Sequence, residues 1–392
     1  MKPAWWTVFR KEVTENLRDR RTVINSLVYG PLFGPFLFVV LIGFVVSQAG
    51  DRAERPLELP VAGAELAPNL MAFLRQNNIV IEQAPEDPEQ SVRDQDQELV
   101  LRVPAEYAER WREGRTAPLE LIYDQSRQFT QQSVLRLTRV LDGYGGLHAA
   151  LRISARGVNP EVMRPLAIVD RDQSSAQSRA GMLLAFLPYM LIIGAFVAGM
   201  YLAIDTTAGE RERQSLEALL INPVPRSQIL IGKLAATTAF ALTALALSLL
   251  AFLIALPLMP VGQTGLDIQF NVTTAAWAML AIAPLALLAA SSETLVAAFS
   301  KSFREAQTWL GMMMVLPAIP AVVLLLNPVK PSAWMYWTPL VSQHVVLNQI
   351  VRGELVAGWQ FAASLVGTLA LGLFLAWLCI RIYHRERLAI SV

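Results

Sequence analysis

The most pointed chemistry sits in the run Gly209-Glu210-Arg211-Glu212-Arg213-Gln214-Ser215-Leu216-Glu217-Ala218-Leu219-Leu220-Ile221-Asn222-Pro223-Val224-Pro225-Arg226. Glu210, Arg213 and Glu217 recur at i, i+3 and i+7, a spacing that puts them on one helical face where acid and base can pair. Leu216, Leu219 and Leu220 form a second, apolar face. Pro223 ends the helix, because the residue before a proline is pushed out of the α region. These residue types bind rather than react. An apolar face on a polar connection needs a surface to pack on, either a neighbouring helix of the same chain or a separate subunit.

A second candidate is Glu293, flanked by Ser291, Ser292 and Thr294 in an otherwise apolar run. An ionisable group inside a membrane span is costly and faces a partner or water rather than lipid. Oxygen-bearing side chains can coordinate a hard cation. Glu293 also stands eight residues before Lys301, about 12 Å along a helix at a rise of ~1.5 Å per residue, where an interhelical hydrogen bond or ion pair is the plainer use. Asp205, with Thr206 and Thr207, and Asn25, with Ser26, are expected at the same level. Together these groups would line one inner vestibule.

Other chemistries are excluded. The only Gly-Lys pair, Gly232-Lys233, has Ser227 where a phosphate-binding loop needs its first glycine and Leu234 where it needs Ser or Thr. Gly143-Tyr144-Gly145-Gly146 lacks a following lysine. His148, His344 and His384 are far apart, no H-E-x-x-H occurs, and the single cysteine, Cys379, forms no intrachain disulfide, so no metal site or cofactor is expected on the chain. A net charge of +1 and a pI near 7.9 leave no nucleic-acid footprint.

The elements that position these residues follow from where charge is missing. The 392 residues are 54% hydrophobic and only 17% charged. Six stretches, 24–48, 180–204, 234–256, 274–299, 307–326 and 361–380, hold Glu293 as their one charged residue, where an even spread would place about 24. Each is about as long as a bilayer crossing of ~20 apolar residues, so the expected fold is an α-helical polytopic membrane protein with six transmembrane helices. Pro188, Pro284, Pro317 and Pro320 fall within these stretches and predict kinks.

Lys and Arg set the orientation. Lys2, Arg10, Lys11, Arg18, Arg20 and Arg21 precede the first span; Arg211, Arg213, Arg226 and Lys233 follow the second; Lys301 and Arg304 follow the fourth; Arg381, Arg385 and Arg387 close the tail. Only Lys330 and Arg352 lie between the fifth and sixth. Both termini are therefore expected in the cytoplasm. The first span is read as retained rather than as a cleaved signal peptide, because Glu12, Glu15 and Asp19 interrupt the preceding positive region and the apolar run is too long.

Residues 49–179, between the first two spans, then form an extracytoplasmic domain of mixed α/β character. Strands are expected at Leu59–Ala62, Ile79–Glu82, Leu99–Val103, Leu119–Tyr123 and Leu166–Val169. A helix is expected over Ser126–Arg156, with Val134, Leu137, Leu141, Tyr144, Leu147 and Leu151 as its apolar series. Residues 1–23 form an amphipathic helix whose stripe Trp5, Phe9, Val13 and Leu17 suits the inner leaflet, as a lipid anchor, a docking surface or both. Residues 327–360 form an outer interfacial or re-entrant segment, with Trp334, Tyr336 and Trp337 at headgroup level and a short helix around Val341, Val345 and Ile350.

The run from Gly209 to Leu220, followed by Pro223, Arg226, Ile229-Leu230 and Gly232-Lys233, resembles the first cytoplasmic loop of ABC type-2 exporter permeases. Lys301-Ser302-Phe303-Arg304-Glu305-Ala306-Gln307 is similar to the corresponding later loop of sodium-extrusion permeases of the NatB type, and Arg10-Lys11-Glu12-Val13 and Arg18-Asp19-Arg20-Arg21-Thr22 fit that family's opening helix. The resemblance implies a permease region at 180–392 with a coupling helix at 209–221 seated on a separate ABC ATPase subunit. Glu210, Arg213, Leu216, Glu217, Leu219, Leu220 and Pro223 would make that contact, with Lys301, Arg304 and Glu305 as a second one. ATP and magnesium would then be cofactors of the partner, and the chain itself no enzyme. A homodimer, or a heterodimer with a similar permease, in a bacterial or archaeal cytoplasmic membrane is further implied. The exported substrate would then be sodium, or else a drug, peptide or lipid. A membrane sensor with an external ligand-binding domain is the rival from another class.

Overall fold

Away from water, apolar runs of this length can satisfy their backbone groups only by forming helices. The computed structural model, which describes residues 3–163, 166, 169, 171–215, 223–259, 268–326 and 329–383, has that outcome. Among the described residues six helices are long and apolar enough to cross a membrane: Ile24–Gln48, Ala176–Glu212, Arg226–Leu258, Val272–Phe299, Phe303–Leu324 and Gly358–Tyr383. They are called the first to sixth spans below. The chain divides into two units, Met1–Gly50 with Gln173–Val392, and Asp51–Asp172.

In the helical unit the second, third and fourth spans bury Leu187, Leu191, Leu245, Phe252, Ile282 and Leu285 against one another. Small residues let the backbones approach. At Gly372 a Cβ would stand 3.2 Å from the backbone nitrogen of Leu288, which is how closely the sixth span crosses the fourth. The first span opens with a π-helical stretch, Ile24–Phe33, that contains Pro31.

The prolines act differently from one another. Pro188 lies in the first turn of a helical segment, Leu187–Ile204, entered through a 3-10 turn at Leu184–Phe186, so its missing N–H costs no bond there. Pro284 is inside an unbroken helix. The fifth span is two helices, Phe303–Met313 and Val315–Leu326, meeting at Met314. That break lies just where the ring of Pro317 crowds the carbonyl four residues earlier.

Ahead of the first span is α1 (Ala4–Arg18). Its stripe does not lie on lipid throughout: Phe9 and Val13 pack with Leu27, Leu202, Ala236 and Phe240, while Leu17 is exposed.

In the second unit four strands form a sheet in the order β2-β1-β3-β4: β1 (Leu57–Ala62), β2 (Ile79–Gln83), β3 (Leu99–Arg102) and β4 (Glu120–Tyr123). β1 runs parallel to β2, with Leu57 opposite Ile79, and to β3, with Val61 opposite Leu101. β4 is antiparallel to β3, with Leu99 opposite Tyr123. Helix α2 (Pro68–Gln76) makes the β1–β2 crossover and buries Leu70, Met71 and Leu74. Helices α3 (Pro88–Arg93) and α4 (Tyr107–Arg112) follow β2 and β3.

Helix α5 (Gln128–Ser154) covers the sheet with Leu137 and Tyr144. Its expected stripe is right only as far as Tyr144: Leu147 and Leu151 are exposed. His148 and Arg152 continue the packed line instead, at four-residue spacing, against Trp111, with the Arg152 guanidinium carbon 4.5 Å from the ring centroid. Four of the five expected strands are present. The fifth, Leu166–Val169, falls largely outside the described residues, and Leu166 and Val169 themselves are in no strand.

Between the fifth and sixth spans lie α6 (Ala333–Trp337) and α7 (Val341–Val351). Trp334 and Trp337 are exposed, whereas Tyr336 is buried. Helix α7 is enclosed by protein rather than laid on a surface. Gln343 is fully buried and donates to Ser364 Oγ at 3.2 Å and Thr368 Oγ1 at 2.5 Å of the sixth span. Its Oε1 accepts the N–H of Leu340, which holds that residue at φ +71°.

Leu59 has 0% exposure at the centre of the sheet, so Leu59→Ala should destabilise that unit by about 3 kcal/mol. The check is limited trypsin digestion of the purified chain. Cleavage at arginines between β1 and α5 should accelerate roughly a hundredfold, as a ~3 kcal/mol loss requires when opening is fast, while cleavage elsewhere keeps its rate.

Candidate functional site: a charged clamp at one end of the spans

The site is built on a close approach. A Cβ at Gly232, in the first turns of the third span, would stand 2.7 Å from both the Trp5 carbonyl oxygen and the Val8 Cβ, so only glycine lets α1 lie down there. That contact brings Glu12 over Lys233. Lys233 is 1% exposed and has three partners: its Nζ donates to the Thr206 carbonyl at 2.7 Å and to Glu210 Oε2 at 2.5 Å, and lies 3.6 Å from Glu12 Oε1. Lys11 closes the group from outside, 3.4 Å from Glu12 and 3.6 Å from Glu210.

Two lysines and two carboxylates thus balance. The Glu12 carboxyl is raised above its usual range by burial, against the pull of Lys233, with the like charge of Glu210 adding to the rise. Burial would lower the Lys11 ammonium, but Glu12, Glu210 and Glu15 together outweigh it and hold it raised.

The next three residues of the Glu-Arg-Glu-Arg run are committed as well. Arg211 donates from Nη2 to the Ala298 carbonyl at 2.8 Å and from Nη1 to the Ser300 carbonyl at 3.0 Å, capping the end of the fourth span with a cation. Glu212 Oε2 accepts the Phe303 N–H at 2.7 Å, putting an anion at the start of the fifth. Each charge meets the helix end whose partial charge is opposite. Arg213 pairs with Asp205 at 2.8 Å. The expected face of Glu210, Arg213 and Glu217 is therefore not what forms: Glu210 turns to Lys233 and Lys11, and Arg213 turns back to Asp205.

Nor does one uninterrupted helix cover 209–221. Asp205–Gly209 is π-helical, Glu210–Glu212 is a single α turn, and Gln214 takes φ +57°, after which Ser215 is helical again. Leu216, Glu217, Leu219 and Leu220 lie outside the described residues, and Pro223 is in a bend.

Of the later connection, Lys301 and Arg304 are exposed. Glu305 is used locally: its carboxylate accepts the Lys301 N–H at 2.7 Å, and its own N–H donates to Ser302 Oγ, an N-terminal cap for the fifth span.

Glu293 is fully buried, and among the described residues neither of its oxygens has a hydrogen-bond partner. It reaches the second span at Gly199, where a Cβ would stand 2.6 Å from Oε2. The expected oxygen cluster does not assemble around it. Ser292 Oγ donates to the Ala289 carbonyl. Ser291, also fully buried, has its carbonyl against Cys379 of the sixth span. Asp205 is held by Arg213, six residues along the second span from Gly199, which is about 240° around a helix at ~100° per residue and so a different face. Asn25 is half-buried on the π-helical stretch.

Sequence reasoning missed Glu12, Lys233, Arg211 and Glu212 as one device. Two signals were there to be read. Glu12 and Asn16 interrupt the apolar side of α1 at four-residue spacing, and Lys233 sits between Gly232 and Leu234 at the opening of an apolar run. The assembled group is a set of paired charges. What it can do is mechanical: it fixes α1 and the ends of the second, third, fourth and fifth spans to one short segment.

Two comparisons bear on this arrangement. A family model described as ABC-2 family transporter protein matches residues 31–381. The chain is also 24% identical over 353 residues to a Bacillus subtilis (strain 168) protein described as ABC transporter permease protein NatB, covering 88% of this chain and 89% of that one.

Replacing Lys233 by methionine leaves Glu12 and Glu210 buried with Lys11 alone, at an expected cost of about 3–5 kcal/mol. Glu12→Gln added to Lys233→Met should melt closer to the parent than Lys233→Met does. Thermal unfolding of the detergent-purified single and double variants checks this, and simple additivity would mean the groups are not coupled.

Proposed function

This chain belongs to the ABC-2 family of transporter proteins and is the permease subunit of an ABC transporter, and from that premise we propose that it couples ATP hydrolysis on a separate subunit to substrate efflux. The observation that carries the reading is the clamp. Glu210, Arg211 and Glu212 are each tied to another element of the chain, and Arg213 back to Asp205 of the second span, so a force applied to the segment that follows is delivered to several spans at once.

The ATPase seat is residues 209–221 and the Pro223 that follows, with Leu216, Glu217, Leu219, Leu220 and Pro223 as its contacts and Lys301 and Arg304 as a second one. ATP and magnesium belong to that partner. The termini are cytoplasmic, the α/β unit is extracytoplasmic, and the membrane is the cytoplasmic one of a bacterium or archaeon. The assembly is a homodimer, or a heterodimer with a similar permease; the fifth span, with Trp309, Met312, Leu316 and Ile319 exposed, offers a face for a second permease or for lipid.

Sodium is the proposed cargo, on the NatB-type resemblance of the loops, with Glu293 on the pathway. Export of a drug, peptide or lipid is the second reading. It is favoured by an apolar cavity of about 290 Å³ between the first three spans, walled by Tyr29, Phe33, Tyr189 and Phe252.

Leu220→Asp should abolish co-purification of the ABC ATPase subunit while leaving the permease's elution unchanged; retained co-purification would remove residues 209–221 as the seat. Proteoliposomes holding both subunits should show ATP-dependent sodium flux, and Glu293→Gln should reduce it severalfold. Flux of a hydrophobic dye without sodium flux would instead select the second reading, and unchanged sodium flux in Glu293→Gln would take Glu293 off the pathway.

A further inference from the structure

In the second unit the strand order singles out one place. The chain leaves β1 for β2 on one side of it, then crosses to β3 on the other. Where the winding reverses in this way, the segments that leave the two central strands diverge, and open α/β sheets take ligands in the crevice beyond those C-terminal ends. A cavity of about 360 Å³ lies there, within the range of small-molecule sites. One wall is residues 65–70, the end of the 3-10 turn after β1 and the first turn of α2. The other is α4, the helix after β3, with Tyr107, Ala108, Trp111 and Arg112, and Tyr144 of α5 joins it. Gly63 lets the two strand ends meet: it turns the chain out of β1 at φ +77°, and a Cβ there would stand 2.5 Å from the Val103 carbonyl oxygen.

The lining has an aromatic side and a cationic one. Trp111 stacks with Tyr107 at 5.8 Å and with Tyr144 at 5.5 Å between ring centroids. Burial raises both phenols, that of Tyr107 to about 12, against the pull of Arg152, so the rings bring no charge of their own. The space is ample for a ring, since a dry cavity of ~150 Å³ already holds benzene. Arg112 and Asn69 are exposed, so their polar ends are open to what enters. Arg112 Nε donates to the Ala108 carbonyl and Arg152 Nη2 to the Trp111 carbonyl, and among the described residues neither arginine has a carboxylate partner. The start of α2 adds to the same sign. Ala67 gives it no side-chain cap, and the first bond into the helix runs from the Met71 N–H to the Ala67 carbonyl. Among the described residues the N–H groups of Asn69 and Leu70 are thus left without a backbone partner, at the positive end of the helix. Glu65 is the one acid in the lining.

We infer that this crevice binds a small carboxylate with an aromatic body, the carboxylate at Arg112 and the start of α2 and the ring against Tyr107, Trp111 and Tyr144. Two arginines against one glutamate leave a single positive charge to be matched, which suits one carboxylate. A cation would meet both arginines and the positive end of α2, and a neutral hydrocarbon would leave that helix end uncapped. Glu65 suits an ammonium carried on the same molecule, so aromatic amino acids and simple aromatic acids share this chemistry. The site lies wholly within the second unit and stands apart from the coupling reading and from the choice of cargo.

The test is photolabelling of the purified full chain in detergent with 4-benzoylbenzoate, a benzophenone that carries a carboxylate, followed by peptide mass spectrometry. Label is expected on the peptides that contain Leu66 and Leu70 and those that contain Tyr107 and Ala108. 3-Phenylpropionate should compete and 3-phenylpropanamide, the same body without the charge, should not. Arg112→Gln, at an exposed position that leaves the core alone, should reduce labelling about fivefold, as loss of one charge-assisted contact at a wet site requires, and Arg112→Lys should recover most of it. Ala108→Phe fills the cavity and should remove the label while the tryptic pattern of the second unit stays that of the parent. L-Phenylalanine competing better than 3-phenylpropionate would identify the ligand as an amino acid, and competing worse as a simple acid. Labelling elsewhere, equal competition by the amide, or labelling unchanged in Arg112→Gln or in Ala108→Phe would overturn the proposal.

Discussion

The arrangement at the Glu210 end depends on one buried ammonium. Lys233, at 1% exposure, cannot be left without counter-charge, because an unpaired buried ion costs several kcal/mol. Its two carboxylates come from elements far apart in sequence, Glu12 on α1 and Glu210 beyond the second span. The lysine therefore fixes where both must be. Gly232, immediately before it, removes the side chain that would hold α1 away, so steric access and electrostatic demand are set by adjacent residues. A pair of this kind adds little net stability compared with apolar packing. What it adds is position: Glu210 held by Lys233 sets the orientation from which Arg211 and Glu212 reach the ends of the fourth and fifth spans.

The division of labour within Glu210-Arg211-Glu212-Arg213 follows from helix electrostatics. An acid and a base alternating in four consecutive residues project in four directions from a helical turn, so they cannot pair with one another and are free to reach four neighbours. Arg211 goes to carbonyls that the fourth span leaves unpaired at its end, and Glu212 to an N–H unpaired at the start of the fifth. The connection from Ser300 to Phe303 is thereby held from both sides by one dipeptide, which is why so short a link between two spans needs no core of its own.

Much of this was legible beforehand and some was not, for physical reasons. Six spans follow from composition alone, since length and apolarity are local properties, and the sheet of the second unit was read from short apolar runs between Pro and charged residues. Helix α5 was located within a few residues, but the side its later half buries was not. Leu147 and Leu151 looked like the continuing stripe, and the structure buries the line of His148 and Arg152 because Trp111 is there to stack on. The partner was the missing information. The same holds for the Glu210 run: spacing suggested pairing within a helix, and the pairs formed with Lys233, the fourth and fifth spans and Asp205 instead. Glu293 was singled out as the one charged residue within the spans and was expected to have a polar partner, but among the described residues its oxygens have none, and Ser292 donates to the Ala289 carbonyl instead.

How a displacement at the clamp would travel is constrained by the second span. It is helical from Ala176 to Glu212, 37 residues, or about 55 Å at ~1.5 Å per residue. Its C-terminal end carries Glu210, its middle presses Gly199 on Glu293, and its other end supplies Met182 and Ala185 to a cavity beside α7. Regular α-geometry fails at two places, the π-helical Asp205–Gly209 and the 3-10 turn Leu184–Phe186. Such departures mark where a helix can change its winding with least loss of hydrogen bonding. Between them runs an α-helix, Leu187–Ile204, most of whose residues are buried. The clamp and Glu293 are thus joined by one largely buried helix, with the π-helical turn between that helix and Glu210 and the 3-10 turn between it and Met182.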